Sequence, residues 1–130
     1  MINISVIPAS TAGSQELLVS ITEKLCRQYC VNEAHKPIVT VTFAQGEVTV
    51  LNGNAIVPIT ATVTAIAPVR DGRCISPEVY TEHFNVAFDA TATNVATLTA
   101  GTDSLIVPAH VTGCKARGFN LTTTLTVALA

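Results

Sequence analysis

From Pro37 onward the chain alternates. Val39, Val41 and Phe43 fall on one side and Thr40 and Thr42 on the other, the period-two mark of a half-buried strand. Ala44-Gln45-Gly46-Glu47 reads as a short loop, after which Val48 and Val50 resume the pattern. Asn52-Gly53 comes next, the strongest short hairpin signal, because both central residues of a type I′ turn need positive φ. Ala55, Val57, Ile59, Ala61, Val63 and Ala65 then alternate mainly with threonine. With Asn52 and Gly53 at the turn, Leu51 faces Asn54, Val50 faces Ala55 and Val48 faces Val57. A loop over Ala44 to Glu47 likewise sets Phe43 opposite Val48. Turn chemistry, propensity and pattern agree on a three-stranded β-meander over about 38–67. Pro58 has no N–H for a ladder and is expected at an edge or a bulge.

Upstream the period reads differently. In Ser14 to Cys30 the apolar positions Leu17, Leu18, Ile21, Leu25 and Tyr29 follow helical spacing. Ser14 suits an N-cap, Glu16 the first turn, and Lys24 and Arg27 the C-terminal end of the dipole. This predicts one helix over 14–30, roughly 25 Å long, lying on a sheet. Ile2 to Ile7 reads as a short strand stopped by Pro8, and Ala9 to Gly13 as a loop. Asp71-Gly72 marks a tight turn. Val79 to Phe88 reads as a strand with Tyr80, Phe84, Val86 and Phe88 on one face. Asn94 to Thr99 and Ser104 to Thr112, the latter holding Pro108, are two more. The last runs over 119–129, with Phe119, Leu121, Leu125, Val127 and Leu129 on one face and Thr122, Thr124 and Thr126 opposite. Val48 to Thr62 also aligns without gaps with Leu98 to Thr112 around a shared Ile-Val-Pro triplet, either a duplication or convergence of two strands in similar settings. The expected fold is α+β but mainly β: an antiparallel β-sandwich or partly open barrel with one packed helix, in a single domain over 1–130.

Composition changes the picture in one respect. Hydrophobic residues make up 48% of the 130 and charged residues only 12%, about half the usual share. A free monomer normally carries more surface charge, so partners are expected to cover part of the surface. The net charge is -2 and the seven Lys and Arg residues are scattered, against nucleic-acid binding, which uses a clustered basic face. No apolar run approaches the ~20 residues of a membrane span. The start MINISVIPASTAG lacks the basic opening of a signal peptide. Without export, Cys26, Cys30, Cys74 and Cys114 are expected as free thiols, and the glycosylation patterns at Asn3-Ile4-Ser5 and Asn120-Leu121-Thr122 as chance.

Candidate chemistry is thin. Cys26 and Cys30 share a face of the expected helix, with His35 close behind. That set starts a zinc site only with a second Cys pair at similar spacing, which is absent, so packing is the expected role of these cysteines, with metal or disulfide as alternatives. A cysteine nucleophile needs a histidine base, and no local motif selects among His35, His83 and His110. Glu78 and Glu82 flank Tyr80 and read as a solvated end or a salt-bridged face. Arg70-Asp71-Gly72-Arg73 reads as a charged hairpin tip. The glycines are dispersed, with no P-loop and no dinucleotide turn. No cofactor and no enzymatic activity are expected.

The strands VTVTF, ITATVTAIAP and LTTTLTVALA, the low charge, the missing signal peptide and the strand-ended C-terminus resemble small virion structural proteins of tailed bacteriophages, auxiliary or decoration capsid proteins first and tail-tube or head–tail connector proteins next. The likeness runs over the whole chain and carries over no functional residue. It implies a non-enzymatic subunit of a capsid or tail assembly, made in the host cytoplasm and located in the virion, whose partners are other copies of itself and other virion proteins, with neither nucleic acid nor membrane. Phe119, Leu121, Leu125, Val127 and Leu129 are the candidate interface, on a strand with neither Lys nor Pro to discourage pairing. The alternatives are an extracellular adhesion or carbohydrate-binding β-sandwich module, and a small thiol or metal enzyme using Cys26, Cys30 and a histidine.

Overall fold

A computed structural model of the chain describes residues 2–6, 14–31, 38–66, 77–88, 95–101 and 104–129. Among them run nine strands: β1 (Ile2–Val6), β2 (Ser14–Cys30), β3 (Ile38–Gln45), β4 (Thr49–Leu51), β5 (Asn54–Ile66), β6 (Glu78–Phe88), β7 (Val95–Ala100), β8 (Leu105–Thr112) and β9 (Lys115–Leu129). They form two antiparallel sheets. The five-stranded sheet runs β1-β2-β9-β7, with β8 also paired to β9. In the four-stranded sheet β5 is central, with β6 on one side and β3 and β4 on the other. The inward residues of both sheets form one apolar core, led by Leu17, Ile21, Ile59, Phe88, Phe119, Leu121 and Leu125. The expected β-rich fold is present; the expected helix is not.

Residues 14–30 are a seventeen-residue strand, paired with β9 from Ser14↔Ala128 to Lys24↔Gly118. A spacing of four is common to both periods: Leu17, Ile21, Leu25 and Tyr29 share a helix face, yet they also share a strand face. Val19 and Leu18 separate the two readings. A helix stripe takes Leu18 and omits Val19, whereas Val19 is 0% exposed and Leu18 41%. The β-branched Val19 and Ile21 favour the pleated surface, and the free side of β9 supplies the ladder.

The Asn52-Gly53 turn forms as expected. Both residues have positive φ, 52° and 78°, with Leu51 facing Asn54 and Val50 facing Ala55. The meander does not form. β3 pairs with β5, placing Phe43 opposite Ala61 rather than Val48. β5 is thirteen residues long, enough to hold eight-residue β3 and three-residue β4 end to end. The expected loop at Ala44 to Glu47 is therefore a bulge, Gly46 to Val48 standing opposite Val57 and Pro58. Pro58 thus sits in a central strand at a bulge. Its carbonyl accepts from Gly46 N at 2.8 Å, so the side of Pro58 that lacks an N–H faces the interruption, where no regular ladder bond is lost.

β1, β6, β7 and β8 fall where the alternation placed them, within a residue or two, whereas β9 begins at Lys115, four residues before the expected 119. The Asp71-Gly72 turn, the Arg70-Asp71-Gly72-Arg73 tip, the Ala9 to Gly13 loop, His35 and Cys74 lie outside the described residues. The two Ile-Val-Pro segments are not equivalent. β4 and β5 pair with each other across a turn, whereas β7 and β8 both pair with β9, so the structure gives the repeat no duplicated unit.

Candidate functional site: outer faces and the β2 bulge

Phe119, Leu121, Leu125 and Val127 point into the core and are buried, and Leu129 is partly buried against it. β9 is central, flanked by β2 and by β7 and β8, so its apolar face serves the inter-sheet contact of this chain.

Strand alternation sets out what the outer faces carry. On the outer face of the four-stranded sheet, Thr40 and Thr42 of β3 stand beside Thr64 and Thr62 of β5, and Thr62 beside Thr81 of β6. Thr60, His83, Asn85, Ala44 and Ala87 continue the face, with Ile38, Ile66 and Val79 exposed at one end. No Lys, Arg, Asp or Glu among the described strand residues lies on it. Its polar chemistry is hydroxyl and imidazole: Thr60 Oγ1 is 3.1 Å from His83 Nδ1. The outer face of the five-stranded sheet is similar in its middle. Asn120 Nδ2 donates to Ser20 Oγ and Thr22 Oγ1 at 2.8 Å each, and Thr122 donates to Asn120 Oδ1 at 3.0 Å. That network occupies the side chain of the Asn120 glycosylation pattern. Beside it, Leu105 and Val107 of β8 are exposed, paired with Thr122 and Asn120.

The second irregular place is in β2. Between Lys24↔Gly118 and Tyr29↔Ala116, residues Leu25, Cys26, Arg27 and Gln28 stand opposite Arg117 alone. Bulges of this kind redirect side chains and bare backbone groups, and side chains take up the carbonyls here. Arg117 Nε lies 3.4 Å from Leu25 O, and its terminal nitrogen 3.3 Å from Cys26 O. Tyr29 donates its hydroxyl proton to Gly118 O at 3.0 Å. Gly118 leaves room for the closeness, since a Cβ there would stand 2.5 Å from Glu23 O and 2.6 Å from the His110 ring. His110 itself has φ +54°.

β6 crosses to the bulge from the other sheet. Cys26 N donates to Glu78 Oε1 at 2.9 Å, and the Tyr80 hydroxyl lies 3.0 Å from Glu78 Oε1 and 3.1 Å from Lys24 O. The Tyr80 ring meets Phe119 edge-on at 6.3 Å. Burial, then the neighbouring Glu78, raises the Tyr80 phenol, and burial raises Tyr29. Glu82 is hydrogen-bonded to Glu23 of β2. Burial, reinforced by that bond, pushes Glu23 up to about 7, while the same bond lowers Glu82. Glu78 and Glu82 therefore face the other sheet, where a solvated end or salt-bridged face was expected; their even-numbered positions put them on the Tyr80 side of β6.

Cys26 is disulfide-bonded, correcting the expectation of free thiols, and Cys114 is free and exposed. A disulfide sulfur is not a thiolate, so Cys26 offers neither a zinc ligand nor a nucleophile in this state. Sequence reasoning passed over Glu23 because it sat on an expected helix; on a strand its odd number aligns it with Leu17, Val19 and Ile21, and that was the available signal. No protein family, curated protein or solved structure matches the chain.

Proposed function

We propose that the chain is a non-enzymatic structural subunit, acting in many copies with itself and other virion proteins in a capsid or tail assembly, in an auxiliary, decoration or head–tail connector role. One observation carries this reading: the uncharged outer face of the four-stranded sheet, three strands wide and paved with Thr40, Thr42, Thr60, Thr62, Thr64 and Thr81. A solvent-facing sheet surface ordinarily mixes charges of both signs. A neutral hydroxyl surface can be covered by another protein without desolvating a charge, so long as its hydroxyls find hydrogen-bond partners across the contact. Exposed Leu105 and Val107 on the opposite sheet add apolar contact area. Sedimentation equilibrium on the purified chain tests the idea, together with peptide mapping of particles from the native source. Concentration-dependent multimers and presence in the particle are expected. Charging the hydroxyl face with Thr42→Lys plus Thr62→Lys is expected to give a folded protein that no longer multimerises. A wild-type monomer at high concentration that is also missing from particles overturns the reading.

The disulfide at Cys26 favours a second reading, an extracellular adhesion or carbohydrate-binding β-sandwich module, because disulfides persist in oxidising places. Virion surfaces belong to that class too, so the disulfide fits both. A monomer retained on immobilised glycans would select the module.

A further inference from the structure

β6 lies at the edge of its sheet. It pairs with β5 from Glu78 to Phe88 without a break in register, and among the described residues no strand lies on its other side. The direction of its peptide groups follows from β5. Pro58 O accepts from Gly46 N, so even-numbered β5 residues turn their N–H and C=O toward β3 and β4, and odd-numbered ones toward β6. Those odd residues stand opposite even-numbered β6 residues, which therefore make the ladder with β5. The peptide groups of Val79, Thr81, His83, Asn85 and Ala87 point the other way, off the sheet. Ala87 shows this directly, because its carbonyl accepts from Gln15 Nε2 at 2.6 Å, outside the ladder.

Proteins guard such edges with short strands, proline, lysine or bulges, and the other edges of this molecule follow that rule. β1 and β7 are short, five and six residues. The β3–β4 edge is interrupted at Gly46 to Val48. β8 carries Pro108 and, at His110, a positive φ. β6 runs eleven residues with no proline, no lysine and no break.

We propose that the free edge of β6 pairs antiparallel with β6 of a second copy of this chain, across a two-fold axis at His83, joining the four-stranded sheets of two molecules into one. This interface uses a strand edge rather than the threonine face, and it stands whether or not the chain belongs to a virion. The strand's own sequence selects a second copy and sets the register. Only odd residues offer bonds, so odd must meet odd. Centring on His83 overlaps the whole strand, Glu78 against Phe88. Thr81 then meets Asn85 of the second copy, hydroxyl against amide, and on the inner side Glu82 meets Phe84 and Tyr80 meets Val86. No like charges are opposed. An axis at Glu82 would set two Glu82 carboxylates directly opposite each other, which is destabilising. An axis at Phe84 would lean the ladder on Ala87 O, which Gln15 occupies.

Hydrogen exchange of the full-length chain, followed by NMR at high and at low concentration, reads the edge residue by residue. The amides of Thr81, His83 and Asn85 are expected to exchange at least ~10-fold more slowly at high concentration, while the even-numbered amides held by β5 change little. In a Cys114→Ser background, His83→Cys is expected to form an inter-chain disulfide with oxidised glutathione, since residues paired across the axis have Cα atoms about 5.5 Å apart. Asn85→Cys, which faces Thr81, is not. Asn85→Pro removes an outward N–H and no ladder bond to β5, so it is expected to fold and remain monomeric. His83→Asp, which opposes two carboxylates at the axis, does the same and serves if the proline variant does not fold. Odd amides that exchange fast at every concentration overturn the proposal, as do odd amides that stay slow in dilute monomer, which would mean that the chain covers its own edge. A dimer that persists in a folded Asn85→Pro or His83→Asp variant overturns it as well. The face variant Thr42→Lys plus Thr62→Lys separates the two interfaces: it is expected to form nothing larger than a dimer and to keep the protection of the odd amides.

Discussion

Ile56-Val57-Pro58 and Ile106-Val107-Pro108 are one tripeptide in two opposite settings. In β5 the valine is 0% exposed, with β6 on one side of the strand and the β3–β4 edge on the other. In β8 the valine is 44% exposed on a strand with a single partner, β9. The prolines differ in the same way. Pro58 turns its bare side into a bulge held by Gly46. For Pro108 the ladder gives the direction. Gly101 N donates to Thr124 O, so even-numbered β9 residues turn their backbone toward β7 and β8 and odd-numbered ones toward β2. Pro108 is opposite odd Phe119, so the side without an N–H points off the sheet. A proline is tolerated in both places because neither asks it for a hydrogen bond. The environment is set by what pairs on each side, not by the three residues themselves.

The sharpest way to break the comparison is to place the same charge at both valines. Val57→Asp buries an unpaired carboxylate at the centre of the core and should cost more than about 4 kcal/mol, enough to abolish cooperative folding. Val107→Asp should stay within about 0.5 kcal/mol of wild type. Thermal melts followed by circular dichroism compare the two; equal losses would mean that β8 is covered in solution.

A medium effect isolates the bulge. A Cβ at Gly46 would stand 2.9 Å from Pro58 Cγ. Gly46→Val should therefore destabilise by about 1–3 kcal/mol through overpacking, measured by urea titration. Pairing it with Pro58→Ala should recover part of that loss, because the crowding ring is gone.

The smallest effect concerns the edge. Pro108→Ala should change stability by less than about 1 kcal/mol, mainly by loosening the unfolded chain. It adds an outward N–H to an exposed strand that carries Ile106 and Val111, so aggregation on storage, followed by light scattering, should rise. An unchanged aggregation rate would show that the proline does not guard this edge.

Much of the fold was legible where the alternation was long and its polar partner was threonine. β5, most of β6 and β9 from Phe119 onward could be read because their inward positions are mainly apolar and their outward ones mainly threonine. The turn at Asn52-Gly53 was legible because few dipeptides accept two positive φ values. β2 was not, because Leu17, Ile21, Leu25 and Tyr29 repeat every fourth residue and satisfy both periods; only buried Val19 and exposed Leu18 distinguish them, and charged Glu23 breaks the alternation. The order of strands was also hidden. Nothing local in β3 tells it to skip β4 and pair with β5. The site suffered from both failures: Glu23, Tyr80 and Glu82 meet only once β2 is a strand and lies over β6.

β2 and β9 are neighbours in space but far apart along the chain; the Asn120–Ser20 contact spans 100 residues. β9 is the last of the nine strands, yet it is the one on which β2, β7 and β8 all depend. During synthesis the β3–β6 sheet can assemble while β1 and β2 wait with their apolar side unmatched. The β1–β2 pair therefore stays an incomplete template until β9 has been made, exposed to other nascent chains, and the closing of so long a loop makes it a slow step. Conditions that slow synthesis of the stretch between β2 and β9 should penalise this protein more than one whose sheets are built from sequential hairpins.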